Sequence, residues 1–272
     1  AMWDGRRWRE MAGGVDSTVF ALSSGPAGGG APDSLYVGGG FLIAGGESIP
    51  QLARWDGGSW HAVGGGVGGV TSPFITVLAR TNALAGDALY VGGSFLQAGS
   101  VAASNVARWD GAQWSAMGAG LSDRAQAFAV HDDGRGPALY VGGRFLLAGG
   151  VSAARVARWD GASWEPLASG LSGTVNALAV YDDGRGDALY AGGSFSSAGG
   201  APASNLARWD GSTWEGVGSG TDGQVFALAV YDDRSGSGPG LYIGGRFDVG
   251  GGVIASRIVR WDGVSWSTLD AG

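Results

Sequence analysis

An all-β chain assembled from repeated four-stranded antiparallel units is the fold these 272 residues predict, and three observations predict it. A Trp-Asp-Gly phrase recurs with a period near 50 residues. Each period divides into four short apolar or alternating runs bounded by Gly, Asp, Ser or Pro. No stretch carries a 3.6-residue apolar period with helix caps.

The period is marked by Asp4, Asp56, Asp110, Asp160, Asp210 and Asp262, at intervals of 52, 54, 50, 50 and 52 residues. Gly is abundant at 56 residues, yet 44% of the chain is hydrophobic and the 12 Trp keep the same period, which argues for an ordered body. No apolar run reaches the 18 or more residues of a membrane span. No signal peptide opens the chain, which begins inside a repeat, so a mature or trimmed segment is expected. Net charge is −7, there is no Lys, and the 17 Arg are spread along the repeats. Such a surface attracts neither nucleic acid nor anionic lipid. With no Cys, a disulfide framework and thiolate chemistry are excluded.

The fourth unit shows how the strands are read. Its runs are Val175 to Tyr181, Ala188 to Phe195, Asn205 to Asp210 and Trp214 to Val217. The last two, joined by W-D-G-x-x-W, predict a hairpin whose turn has Gly in its first central position, the type II′ pattern. That register sets Trp209 across from Trp214, an aromatic pair that pins the pairing, and sets Arg158 opposite Glu165 and Arg208 opposite Glu215. In the opening copy Arg9 faces Met2.

The second run reads L-Y-x-G-G-x-F and recurs as Leu35 to Phe41, Leu89 to Phe95, Leu139 to Phe145, Leu189 to Phe195 and Leu241 to Phe247. Two Gly inside a strand weaken it, so a doublet in every copy implies that another backbone or a large ring approaches there. A Trp from the hairpin of an adjoining sheet is the expected occupant.

Four-stranded units repeated about every 50 residues predict a β-propeller of antiparallel blades, whose radial packing buries both faces of each sheet. A solenoid of stacked sheets is the alternative, but its coils are usually shorter, about 20–30 residues. One domain is expected over 1–272, with complete blades at 18–65, 74–118, 124–169, 174–219 and 224–270. The hairpin at 1–12 is left over. Either the ring has five blades with a surplus hairpin, or the hairpin belongs to a sixth blade whose inner strands lie upstream or come from another chain.

The phrases LYVGGRF, VARWDGASWEPL and VNALAV resemble a kelch-type repeat, with a Gly doublet ending the second strand, an aromatic-Asp pair closing the third and a Trp opening the fourth. GGSFSSAGGAPASNLARWDG is similar to the repeats of Rax2-like and delta-60-like surface proteins of bacteria and fungi. The resemblance covers essentially the whole chain. It implies a propeller that serves as a binding or scaffolding module. It also raises the precedent of copper oxidases similar to galactose oxidase, which need several His and Tyr ligands and a Cys cross-linked to Tyr. Only His61 and His131 are present, with no Cys, and that chemistry is excluded.

One set of loops, the inter-blade links such as GSGTDGQ and the SSAGGAPASN stretch, is expected on one face; YDDGRGD and the Asp-Gly turns are expected on the other. On the first strands, one column reads Phe20, Thr76, Gln126, Asn176 and Phe226, whereas two residues later all are apolar: Leu22, Leu78, Phe128, Leu178 and Leu228. Broken symmetry at a channel mouth nominates Thr76, Gln126 and Asn176, with Asp123, Arg124, Asp222 and Gln224 in or beside the loops above, as ligand-binding groups. The alternative is simple drift along a water-filled channel. The adjacent carboxylates Asp132 and Asp133, Asp182 and Asp183, and Asp232 and Asp233 offer oxygen ligands of the kind Ca²⁺ takes. They lack the alternating D-x-D-x-D-G spacing of a calcium loop, and Asp-Gly is also good turn chemistry.

No nucleophile constellation or phosphate-binding loop is present, and the four Glu and the inner strands offer no pair of acids for hydrolysis. The expected function is a non-catalytic interaction scaffold of a secreted, cell-surface or periplasmic bacterial protein, binding protein or polysaccharide without a cofactor. The alternatives are a lectin-like multivalent glycan binder and a hydrolase using loop carboxylates at Asp123 and Asp222.

Overall fold

The computed structural model describes residues 1–26, 33–84, 86–234 and 238–269. Among them there is no helix, and so none long and apolar enough to cross a membrane. Five four-stranded antiparallel sheets follow one another along the chain, each with its strands in sequence order. Their first strands are Val19–Pro26, Phe74–Thr81, Ala125–Asp132, Thr174–Asp182 and Gln224–Tyr231. In the fourth sheet the remaining strands are Asp187–Ser194, Leu206–Trp209 and Trp214–Gly216, within about two residues of the bounds the sequence predicts. The chain clusters into two compact units, 1–125 and 126–272.

The hairpin register is the one the sequence predicts. Trp209 pairs with Trp214 and Arg208 with Glu215, Arg158 pairs with Glu165, and Met2 pairs with Arg9. Facing Trp rings lie 5.1–5.4 Å apart, centroid to centroid, in the five sheets, and tilted, as aromatic pairs prefer. The turn Gly takes positive φ, +100° at Gly211. The turn is finished by the Asp side chain rather than by its carbonyl: Asp210 Oδ1 accepts the amides of Ser212 and Thr213. Asp56, Asp110, Asp160 and Asp262 do the same in the other sheets.

The Gly doublet is crowded as predicted, but the predicted occupant is wrong. A Cβ on the first Gly would meet an aliphatic side chain of the next sheet's first strand: Ile75 at 2.6 Å from Gly38, and Val225 at 2.5 Å from Gly192. A Cβ on the second Gly would fall onto a carbonyl oxygen of its own sheet's first strand, Phe74 for Gly93 and Thr174 for Gly193. That carbonyl lies at a β-bulge, where the register slips between Ile75 and Val77 and between Val175 and Ala177. The Trp rings sit instead on the Gly of the A-G-G turn: Trp60 on Gly45, Trp114 on Gly99 and Trp214 on Gly199, all with positive φ.

That turn closes a small two-stranded sheet of its own, Ser197–Ala198 with Ala201–Pro202 in the fourth repeat, where the sequence predicts only a link. The inter-sheet segment bridges to it, as in Leu171 to Ala198 and Thr221 to Gly250. Trp indoles tie the same place together: Trp114 Nε1 donates to Gly64 O at 2.9 Å and Trp214 Nε1 to Leu167 O at 3.1 Å. Within each unit, therefore, first-strand packing joins a sheet to its predecessor, and Trp114 and Trp214 add an indole bond to the preceding inter-sheet segment.

Candidate functional site

The polar column on the first strands holds sheets together. Thr76 Oγ1 donates to the carbonyls of Gly92 and Ala125; Gln126 Nε2 donates to Asn176 Oδ1 at 3.3 Å; Asn176 Nδ2 donates to Val225 O at 2.8 Å. Thr76 and Asn176 are bulge residues, whose unpaired side chains reach the next strand. Asp123 accepts the amide of Arg124, whose guanidinium lies over the Phe74 ring at 5.9 Å. The structure thus places Thr76, Gln126 and Asn176 in inter-sheet bonds, with Phe20 and Phe226 at the same positions exposed.

The acidic loops divide their two carboxylates between two tasks. Asp132 Oδ1 accepts the amides of Gly134 and Gly136, and Asp182 Oδ1 those of Gly184 and Gly186. The next residue turns inward: Asp133 pairs with Arg135, with Arg158 Nε 3.9 Å away, while Asp183 pairs with Arg185 and Arg208 and accepts from Tyr190 Oη at 2.8 Å. In the fifth sheet Asp232 accepts the amide of Arg234 and Asp233 the hydroxyl of Tyr242; Ser235 and Gly236 of that loop lie outside the described residues. Neighbouring carboxylates therefore diverge, and among the described residues no group of three or more His, Asp or Glu could hold a metal ion. The calcium expectation gains no geometry here.

Burial is the largest influence on Asp133 and pushes its carboxyl up, but Arg135, Tyr140 and Arg158 outweigh it and hold the group at about 2. Asp183 is likewise lowered, with burial opposing Arg185, Tyr190 and Arg208. The turn aspartates Asp56, Asp110, Asp160 and Asp262 are lowered chiefly by the amides they accept. A carboxyl whose folded pKa lies below its unfolded value, near 3.9, stabilises the fold above that value. The contribution is lost as pH falls toward the folded value. The urea midpoint is accordingly expected to decline gently below about pH 6.5, where burial holds the His131 imidazole neutral in the fold while the unfolded chain takes up its proton, and to fall steeply from about pH 4 towards pH 2. Denaturation curves across that range check it; a midpoint unchanged at pH 3 would contradict it.

A different place collects free polar chemistry. Ser172, Ser194, Phe195, Ser196, Ser204, Asn205, Thr221 and Asp222 line an open cleft of about 580 Å³ between the fourth and fifth sheets. Several of its groups hold the scaffold. Ser172 Oγ accepts the amides of Ser196 and Ser197, and Asp222 Oδ1 those of Asp248 and Val249. Asn205, at φ +64°, accepts from Phe195 N and donates to Thr221 O. Thr221 Oγ1 donates to Gly223 O. The amides, with burial opposing, lower the Asp222 carboxyl and keep it ionised. Gln224 Nε2 reaches Ser194 Oγ at 3.3 Å, so Asp222 and Gln224 are the two expected site residues that the structure brings to this cleft.

The cleft is where the repeat symmetry breaks. The residue after the recurring Phe is Leu42, Leu96 and Leu146 in the first three repeats, all exposed, but Ser196 in the fourth and Asp248 in the fifth. The inter-sheet bridge position reads Val15, Val67, Leu121 and Leu171, then Thr221. Comparing columns beyond the first strand would have found both polar exchanges.

No protein family and no curated protein matches the chain. Among solved structures it is similar to the extracellular domain of a B. thetaiotaomicron protein provisionally described as a one-component system, at 12% identity and a TM-score of 0.39. The match covers 98% of this chain and 36% of that one, so the chain spans about a third of that extracellular domain's length.

Proposed function

We propose that the chain is a kelch-like, propeller-type interaction module of a secreted, cell-surface or periplasmic bacterial protein, non-catalytic, which binds polysaccharide through the cleft between its fourth and fifth sheets. The observation that carries this reading is the hydroxyl-rich lining. Ser196 stands where the first three repeats have Leu and the fifth has Asp248, and Thr221 stands where the other bridge positions are Val or Leu, beside Ser172, Ser204 and an ionised Asp222. Hydroxyls and a carboxylate on a preorganised backbone exchange hydrogen bonds with a polyhydroxylated ligand. A volume of about 580 Å³ falls within the range of small-ligand sites. Sheet-on-sheet packing through the Gly doublet supports the blade reading, since it is the contact from which radial arrays are built.

The alternative of a lectin with a site in each blade is disfavoured by the same columns, because Leu42, Leu96 and Leu146 stand where Ser196 does. Isothermal titration of neutral mono- and oligosaccharides separates the cases. The reading predicts one saturable site per chain, weakened at least about tenfold in Ser196→Leu, which restores the side chain of the first three repeats and adds no charge beside Asp222. Several equivalent sites, or equal binding by the variant, would overturn it. Sugar turnover lost in Asp222→Ala would favour the hydrolase.

A further inference from the structure

The hairpin at Met2–Trp3 and Trp8–Arg9 has the form of the outer half of the other sheets and, among the described residues, stands as a two-stranded sheet of its own. It carries the full outer-half apparatus. Trp3 faces Trp8 with rings 5.7 Å apart, and Asp4 Oδ1 accepts the amides of Arg6 and Arg7 as Asp210 does those of Ser212 and Thr213. The segment after it is fastened to the first sheet as other inter-sheet segments are. Trp60 Nε1 donates to Met11 O at 2.7 Å, Gly45 N donates to Gly14 O, and Val15 bridges to Ala44.

What differs is the water around it. Trp3 and Trp8 are 52% and 69% exposed, where Trp209 and Trp214 are 3% and 6%. In all five sheets the third strand is covered on its inner edge by the Leu-Tyr strand, as in the pairing of Leu189 with Trp209 and Tyr190 with Arg208. Among the described residues no strand covers the inner edge of Met2–Trp3. Beside it lies an apolar cavity of about 220 Å³ lined by Met11, Val15, Val19, Leu22, Val37 and Trp60, among others. Val19 and Leu22 hold the positions of Val225 and Leu228, which elsewhere close on the first Gly of the preceding sheet's doublet. Val225 is wholly buried; Val19 is 38% exposed.

We propose that this edge and cavity bind a two-stranded antiparallel segment of the repeat's own inner-half type, whose second strand reads Leu-Tyr-x-Gly-Gly. The register follows from the other sheets. Leu pairs with Trp3, Tyr with Met2 and the next residue with Ala1, and the first Gly admits Val19 and Leu22. A side chain at that Gly would collide with them, so the doublet is the recognition feature. The five Leu-Tyr strands of the chain are each engaged by their own third strand, so the segment comes from outside the five sheets. Strand addition of this kind draws affinity from main-chain bonds and specificity from alternate side chains. The inference is independent of the polysaccharide cleft.

A synthetic segment copying residues 174–195 tests it. The chain has no Cys, so Ala1→Cys in the protein and Ala191→Cys in the peptide give a unique, register-dependent cross-link. The expected result is a disulfide with that peptide and little with an Ala188→Cys peptide, a blue shift of Trp emission as Trp3 loses water, and binding at least about tenfold weaker when the peptide carries Gly192→Val. Tethering the same segment ahead of Ala1 by a flexible linker removes any failure of the free peptide to stay in solution. Equal cross-linking by both peptides, or no emission shift in the tethered form, would overturn the proposal. So would concentration-dependent dimers that form alone and exclude the peptide, which would assign the edge to a second copy.

Discussion

Asp183→Ala is expected to destabilise the chain by about 3–5 kcal/mol, because it leaves the buried Arg208 guanidinium with only the half-exposed Glu215 as its carboxylate. The Asp183 side chain is wholly buried, with Arg208 Nε 3.2 Å away and Arg208 itself 6% exposed. Taking that charge out of water is tolerated only while the carboxylate and Tyr190 Oη share the site. The exposed equivalent, Asp233, sits where water can take the carboxylate's place, and Asp233→Ala is expected to cost less than about 1 kcal/mol. Urea midpoints of the two variants make the comparison. Combining Asp183→Ala with Arg208→Met should recover part of the loss, since the unpaired charge rather than the missing contact dominates. Equal midpoints for the two single variants would contradict the account.

Trp214→Ala carries the second large effect, about 3–5 kcal/mol, through loss of a buried ring and collapse around the cavity it leaves. The ring lies 5.4 Å from Trp209, seats on the backbone of Gly199 and donates to Leu167 O, so one residue serves the hairpin, the A-G-G turn and the preceding inter-sheet segment. Trp214→Phe keeps a ring but not the indole donor, and about 1 kcal/mol of the loss is expected to remain from the bond alone. Thermal unfolding of the three proteins measures the ordering. A Phe variant as unstable as the Ala variant would contradict a separate role for the indole bond.

The readable part of the fold was local. Trp209 and Trp214 lie five residues apart, and only one register places both on one face with Asp210 at the turn, so the hairpin and its charge pairs followed from spacing. The crowding at Gly192 and Gly193 was readable too, because two Gly in a strand need a cause. Its agent was not. Val225 and the bulged carbonyl of Thr174 reach those Gly through inter-sheet packing and a register slip, neither of which a strand's own sequence records. The same limit bears on the candidate site. Thr76, Gln126 and Asn176 are polar in an otherwise apolar setting, and the sequence does not tell a side chain bridging two sheets from one awaiting a ligand. Asp222 and Gln224 were reached through the loop argument, while Ser196 and Thr221 stood in columns outside the first strand.

Why the turn aspartates recur so faithfully is a physical matter as well. Each carboxylate satisfies two amides that a four-residue connection leaves unpaired, and no other short side chain offers an ionised acceptor at that reach. What the scaffold leaves over, in the unit 126–272, is the hydroxyl-lined cleft proposed as the polysaccharide site.

Amide chemical-shift mapping with the oligosaccharide that titrates most tightly is the measurement that tests this claim most directly. The account predicts shifts that cluster at Ser172, Ser196, Ser204, Asn205 and Asp222 and leave Leu42, Leu96 and Leu146 unmoved. Shifts spread over equivalent positions of all five repeats, or confined to the Asp132 and Asp182 loops, would contradict it.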